Sequence, residues 1–86
     1  MSANTFTIQV LLFGPEAAAA GRRSVTIAAD TGCTCAVLRD RLGEAHAPLR
    51  PHLKAARFAV NSEFVPLEHT IREGDEVALI GIVSGG

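Results

Sequence analysis

The residues best placed to do chemistry stand at the end of the chain, Val83-Ser84-Gly85-Gly86. A glycine has no Cβ, so a terminal glycine carboxylate can pass a narrow channel on a backbone free to take any φ. Fully extended, four residues reach about 13 Å beyond whatever scaffold precedes them. A free carboxylate is a poor electrophile, so a partner must activate it first, for instance as an acyl-adenylate. Two terminal glycines also arise by chance, in about one chain in 200 at ordinary glycine frequency. A frayed end or a cloning scar would look the same. The pair gains meaning only from the scaffold before it.

Other residue types offer less. Gly21-Arg22-Arg23-Ser24 echoes a phosphate loop. Its spacing from Gly14 is wrong by two residues, Arg stands for Lys, and a strand follows where a helix must. Cys33 and Cys35 have one residue between them, too close to staple a small fold and tighter than the usual metal-ligand spacing. Cys35 reads better as a small core residue at the start of a helix. His46, His52 and His69 follow no ligand spacing. No bound metal or cofactor and no self-contained active site are expected.

The chain that must position the terminus has 86 residues, enough for one domain. An apolar share of 48% and a charged share of 20% describe a globular chain. A net charge of −1 without Trp or Tyr argues against nucleic-acid binding. No apolar run approaches the length of a membrane span, and Met1-Ser2-Ala3-Asn4 does not open a signal peptide, so a cytoplasmic setting is expected. Period-two alternation predicts a strand over Thr5–Phe13, ended by Gly14-Pro15, and another over Ser24–Ala28. Between them, Glu16–Arg23 with its four alanines is a short helical turn or a loop.

Asp30–Cys33 reads as a turn and Thr34 as the N-cap of a helix that Pro48 must stop. Cys35, Leu38, Leu42 and Ala45 share its inner face. Ala47–Ala56 is a linker with one more possible turn, anchored by Leu49 and Leu53. Arg57–Val60 is a short strand, Asn61-Ser62-Glu63 a turn, and Phe64–Leu67 a short run that Pro66 confines to an edge. Glu73-Gly74-Asp75 is a tight turn before a last strand over Glu76–Val83. The order fits an α+β domain, one helix packed on one face of a small mixed sheet of four to five strands. The domain is expected over residues 1–82, with 83–86 as a flexible tail.

Three stretches carry a resemblance: Val10-Leu11-Leu12-Phe13, then Phe58-Ala59-Val60-Asn61-Ser62-Glu63-Phe64-Val65, and Gly74-Asp75-Glu76-Val77-Ala78-Leu79-Ile80 ahead of Val83-Ser84-Gly85-Gly86. With their spacing, nearly the whole chain resembles the MoaD/ThiS family of ubiquitin-like, β-grasp sulfur carriers, and within it the small subunits of molybdopterin synthase. The resemblance implies that an ATP-using, ubiquitin-activating-like adenylyltransferase adenylates the Gly86 carboxylate. A sulfur donor then displaces AMP to leave a thiocarboxylate. It further implies insertion of the tail into a large subunit, in a heterotetramer of two small and two large chains, where the sulfur is donated to a cyclic pyranopterin monophosphate to build molybdopterin. Gly86 would carry the sulfur, Gly85 would give clearance, and Ser84 and Val83 would thread the channel. The family commonly has two prolines just before the last four residues, where this chain has Gly81-Ile82, and the Gly14–Arg23 segment also departs from it.

Two further expectations come from the residues themselves. The first and last strands are apolar on both faces toward their ends, so a second apolar face is exposed to a partner or covered by the Ala47–Ala56 linker. Leu11, Phe13, Phe64, Ile80 and Ile82 are the residues expected on that partner surface. Charge is uneven: residues 61–86 hold five acids and one base, and residues 36–60 five bases and two acids. An acidic flank beside the tail would steer docking onto a basic partner, or would be an ordinary solvated face. The same tail also suits a carrier serving thiazole, cysteine or another thiolated product, and a ubiquitin-like interaction module with an inert tail.

Overall fold

A computed structural model describes residues 4–81 of the chain. The diglycine tail Val83–Gly86, the residue Ile82 and the expected limit of the domain at 82 lie outside the described residues.

The alternation of apolar and polar residues makes β1 over Thr5–Leu12, with Ile8, Val10 and Leu12 turned inward and 3% exposed or less. The Gly14–Arg23 segment, open between helix and loop from sequence, contains a helix, α1 (Gly14–Ala20). Alanine has the highest helix propensity, and Pro15 at the first turn loses no hydrogen bond there. Gly21, at φ 71°, ends the helix by donating its N–H to the Ala17 carbonyl at 2.9 Å. Strand β2 (Ser24–Asp30) then pairs antiparallel with β1 from Leu11↔Ser24 to Thr5↔Asp30. It runs two residues past the sequence estimate because Ala29 and Asp30 still have partners in Phe6 and Thr5.

Helix α2 (Cys35–Ala45) starts where expected, and the Thr34 hydroxyl accepts the Val37 N–H at 3.3 Å. Two other N–H groups of its first turn, from Cys35 and Ala36, donate to the carbonyls of His69 and Leu67, so a strap of chain completes the cap. Cys35, Leu38 and Leu42 are fully buried, but Ala45, expected beside them, is exposed because the helix ends there. Gly43 is buried instead, since the missing side chain admits Leu53, whose Cδ1 would lie 3.3 Å from a Cβ at 43. A 3₁₀ turn (Ala47–Leu49) and a single helical turn, α3 (Arg50–Leu53), follow.

Strand β3 (Arg57–Val60) turns through Asn61-Ser62, both at positive φ, into β4 (Glu63–Val65). The turn is one residue shorter than expected and the strand starts at Glu63, because Glu63 pairs with Val60; Pro66, with no N–H, stops it. The last strand, β5 (Val77–Ile80), is shorter than the expected Glu76–Val83. Its ladders end at Leu12↔Leu79 on one side and Arg57↔Ile80 on the other, so Gly81 has no strand partner.

The five strands lie in the order β2-β1-β5-β3-β4, with β1 and β5 parallel and the remaining pairs antiparallel. One sheet face (Ile8, Val10, Leu12, Val25, Ile27, Phe58, Val60, Val77, Leu79) packs under Leu38, Leu42, Leu49 and Leu53 to form the core. Both outer strands are guarded. Arg41 Nη1 donates to the Ala28 carbonyl on β2 at 3.1 Å and its Nη2 lies 3.8 Å from Asp30, while β4 is three residues long and abuts Pro66.

Asp75 ties the turn before β5 to the β3–β4 turn. Its carboxylate accepts the Arg72 N–H at 2.8 Å and the Asn61 side-chain amide at 3.1 Å, and these two bonds hold its pKa below the usual carboxylate value. Asn61 Oδ1 in turn accepts the Glu76 N–H at 3.0 Å. A depressed pKa adds stability above the unfolded carboxylate's pKa and loses it as pH falls through the folded value. Asp75→Ala is therefore expected to cost about 0.5–1 kcal/mol at neutral pH, and denaturant titrations should show the gap to wild type closing below about pH 4.

Candidate functional site

The expected partner surface can be built strand by strand. Residues paired across a sheet point to the same face. Leu11 pairs with Ala78, Ala78 with Ala59, and Ala59 with Phe64, so one apolar row crosses β1, β5, β3 and β4 on the face opposite the core. Ile80 pairs with Arg57 next along, and the Arg57 guanidinium stands 4.7 Å from the centroid of the Phe64 ring. Phe13 follows Leu11 at the end of β1 and is 50% exposed, and Phe64 is 56% exposed. Leu11 and Ile80 are half-buried. Beside them a groove lined by Leu11, Leu12, Phe13, Gly14, Ala17 and Arg23 opens at the end of β1.

The alternative cover for this face is elsewhere. Leu49 is fully buried and Leu53 is 8% exposed in the same core as Leu38 and Leu42, so the Ala47–Ala56 linker packs with α2. The structure thus brings together Leu11, Phe13, Phe64 and Ile80 from three separate stretches of sequence. Their fifth expected companion, Ile82, lies outside the described residues.

Strand β5 aims the chain at this end of the sheet. It is flanked on both sides by strands and stops at Ile80, leaving Gly81 beside the end of β1. The acidic flank is not there. Glu63, Glu73, Asp75 and Glu76 gather where β5 begins, one strand length from Gly81, about 13 Å at strand rise. An acidic patch beside the root of the tail is therefore corrected, because β5 carries the chain away from those side chains.

The remaining sequence candidates fall apart in space. Cys33 and Cys35 are free, with 5% and 0% exposure. Burial raises the pKa of both thiols, that of Cys35 to about 11, so both stay protonated and inert. Among the described residues, no group of three or more His, Cys, Asp or Glu side chains converges to hold a metal ion. Gly21 serves as a helix cap, and the Ser24 hydroxyl accepts the Gln9 side-chain amide at 3.2 Å. No described helix is long and apolar enough to cross a membrane.

One group escaped the sequence reading. Glu16, in the first turn of α1, is buried to 3% exposure, with Oε2 3.6 Å from His52 Nδ1. Its carboxylate lies against Gly81. The available signals were a lone acid ahead of an alanine run and a glycine just past the last strand, and neither shows that the two meet.

The sequence profile of the ThiS family matches residues 10–86. A molybdopterin synthase sulfur carrier subunit from Chlamydomonas reinhardtii is 33% identical over 81 residues, covering 92% of this chain and 98% of that protein. A protein of the same name from Mycobacterium tuberculosis is 41% identical over 49 residues, 57% of this chain, and the match spans 59% of that relative's length. Among solved structures, SAMP1 from Haloferax volcanii shares 29% identity and a TM-score of 0.83, over 94% of this chain and 100% of that one. A chain in the complex of subunits 1 and 2 of molybdopterin-converting factor from Helicobacter pylori shares the fold, with a TM-score of 0.68 at 24% identity over 94% of this chain and 100% of that one. The common architecture is the ubiquitin-like β-grasp.

The two sheet faces should answer differently to truncation. Phe58→Ala, in the core, is expected to cost about 3–5 kcal/mol. Phe64→Ala, on the outer face, should cost about 1 kcal/mol or less. Urea titration of the two variants measures both.

Proposed function

This chain belongs to the ThiS family, and from that membership we propose that it is a sulfur carrier for molybdenum cofactor biosynthesis. The observation that carries the reading is the course of β5. The central strand of the sheet ends beside an exposed apolar face and leads, through Gly81, toward a terminal Gly85-Gly86 five residues on. The chain supplies the group to be charged and the surface that presents it, and other proteins supply the catalysis.

In the proposed cycle a carboxylate oxygen of Gly86 attacks the α-phosphorus of ATP on a ubiquitin-activating-like adenylyltransferase, and pyrophosphate leaves. A sulfur donor at the oxidation level of sulfide attacks the acyl carbon. The bond to AMP breaks and a thiocarboxylate remains. Thiolate sulfur is a far stronger nucleophile than carboxylate oxygen, which is the reason for charging the carrier. Leu11, Phe13, Phe64 and Ile80, with Ile82, form the face that seats on the large subunit of molybdopterin synthase, in an assembly of two small and two large chains. There Val83 and Ser84 thread the channel, Gly85 gives clearance, and sulfur passes to the cyclic pyranopterin monophosphate. The chain itself binds no cofactor, and it works in the cytoplasm. The partner assignment draws on the Helicobacter pylori complex named for both subunits of molybdopterin-converting factor.

A second reading keeps the tail chemistry and changes the acceptor. The likeness to SAMP1, at 29% identity, joins this chain to a structure whose name does not tie it to molybdopterin. Incubation with the adenylyltransferase, ATP and sulfide should add the mass of one oxygen-to-sulfur exchange at Gly86, and an unchanged mass would refute both readings. Conversion of the pterin precursor by the charged chain plus large subunit separates them. Removal of Gly86 should abolish charging while leaving the unfolding midpoint unchanged. Leu11→Asp should keep the fold and weaken large-subunit binding by about 30-fold or more, the loss expected on placing a charge in the centre of an apolar interface.

A further inference from the structure

Among the described residues Glu16 is the one buried charged side chain, and neither the core nor the outer apolar row uses it. A buried carboxylate is costly unless it is paired and hydrogen-bonded. Here Oε1 is buried without a hydrogen-bond partner, and Oε2 stands 3.6 Å from His52 Nδ1, beyond hydrogen-bond length. The neighbouring positions of α1 that pack on the core, Ala17, Ala19 and Ala20, are small and apolar. An apolar residue at 16 would serve the fold better, and a local rule broken at a stability cost is a mark of function.

The carboxylate is aimed at one backbone position. A Cβ built on Gly81 would lie 2.5 Å from Oε2, 2.6 Å from Oε1 and 2.8 Å from Cδ of Glu16. Real Cβ atoms do not come that close, so a side chain at 81 would have to displace the Glu16 carboxylate. Gly81 is also the first residue past both β5 ladders, so no strand hydrogen bond fixes its backbone. The buried Glu16 carboxylate is the group that lies against it.

We infer that Glu16 is a positioning residue for the C-terminal arm: wedged between His52 and Gly81, its carboxylate limits the backbone conformations of Gly81 and so sets the direction in which the chain leaves the sheet. This deepens the sulfur-carrier reading and rests on it for what the arm delivers, though not for the contact itself. Fewer backbone conformations at Gly81 mean less entropy lost when an activating enzyme captures the chain there, so the effect falls on capture and not on the chemical step.

The test uses the full chain and the variants Glu16→Gln, Glu16→Ala, Gly81→Ala and the double variant Glu16→Ala/Gly81→Ala. It measures thermal unfolding, and KM and kcat for thiocarboxylate formation with the adenylyltransferase, ATP and sulfide. Glu16→Gln keeps the shape and removes the buried charge, so it should raise Tm and leave KM within about twofold of wild type. Glu16→Ala should not lower Tm, yet should raise KM about fivefold or more with kcat little changed. A merely structural residue would move Tm and KM together. Gly81→Ala should lower Tm, and adding Glu16→Ala should restore it. Wild-type KM and kcat in Glu16→Ala would overturn the positioning role, and an unchanged Tm together with an unchanged KM in Gly81→Ala would overturn the contact. If wild type is never charged, the sulfur-carrier reading and the positioning role that rests on it both fail, whereas a charged wild type with an unaltered Glu16→Ala fails the positioning role alone.

Discussion

The parallel pairing of the first and last strands holds the rest of the structure together. Val10, Leu11 and Leu12 lie beside Val77, Ala78 and Leu79, partners separated by most of the chain. That contact closes two hairpin-like halves, β1–β2 and β3–β4, into one sheet with β5 at its centre. Closing so long a loop costs chain entropy, and the return comes from the buried residues the pairing brings together, Val10, Leu12, Val77 and Leu79 among them. A strand at the centre of a sheet is held from both sides. Gly81, the first residue beyond it, therefore starts from a fixed point.

The same pairing divides labour between the faces. Even-numbered residues of β1 and odd-numbered residues of β5 turn to the core face, and Leu11, Ala78 and Ile80 of the alternate set join the outer apolar row. Because the side-chain period of a strand is two, a slip of one residue would exchange the faces. Leu12 and Leu11 are chemically alike, so their neighbours hold the register: Ile8 and Val10 inward, Thr7 and Gln9 outward, and the Asn61–Asp75 bonds anchoring the start of β5.

What the sequence made legible follows from range. Period-two alternation located β1, β2 and β3, and the Thr34 cap, Pro48 and Gly74 marked ends and turns, because each is local chemistry. The outer residues Leu11, Phe13, Phe64 and Ile80 were also readable, as apolar positions left over once the core was filled. Strand ends were less so. β2 and β4 take their limits from partners on other strands, and β5 ends where its neighbours do. The misplaced acidic flank shows the same limit, since nearness to the terminus in sequence ran opposite to the direction of β5. Glu16 was invisible for a related reason: α1 and Gly81 meet only after the sheet has closed.

The guarded outer strands have a consequence for encounters between copies. The outer apolar row, with Phe13 and Phe64 about half exposed, is a surface that other copies of the chain can meet. Arg41 reaching down to the Ala28 carbonyl, and a three-residue β4 abutting a proline, deny those copies a place to add a strand. Contacts through the exposed row are thereby biased toward face-on packing and away from edge-to-edge strand addition.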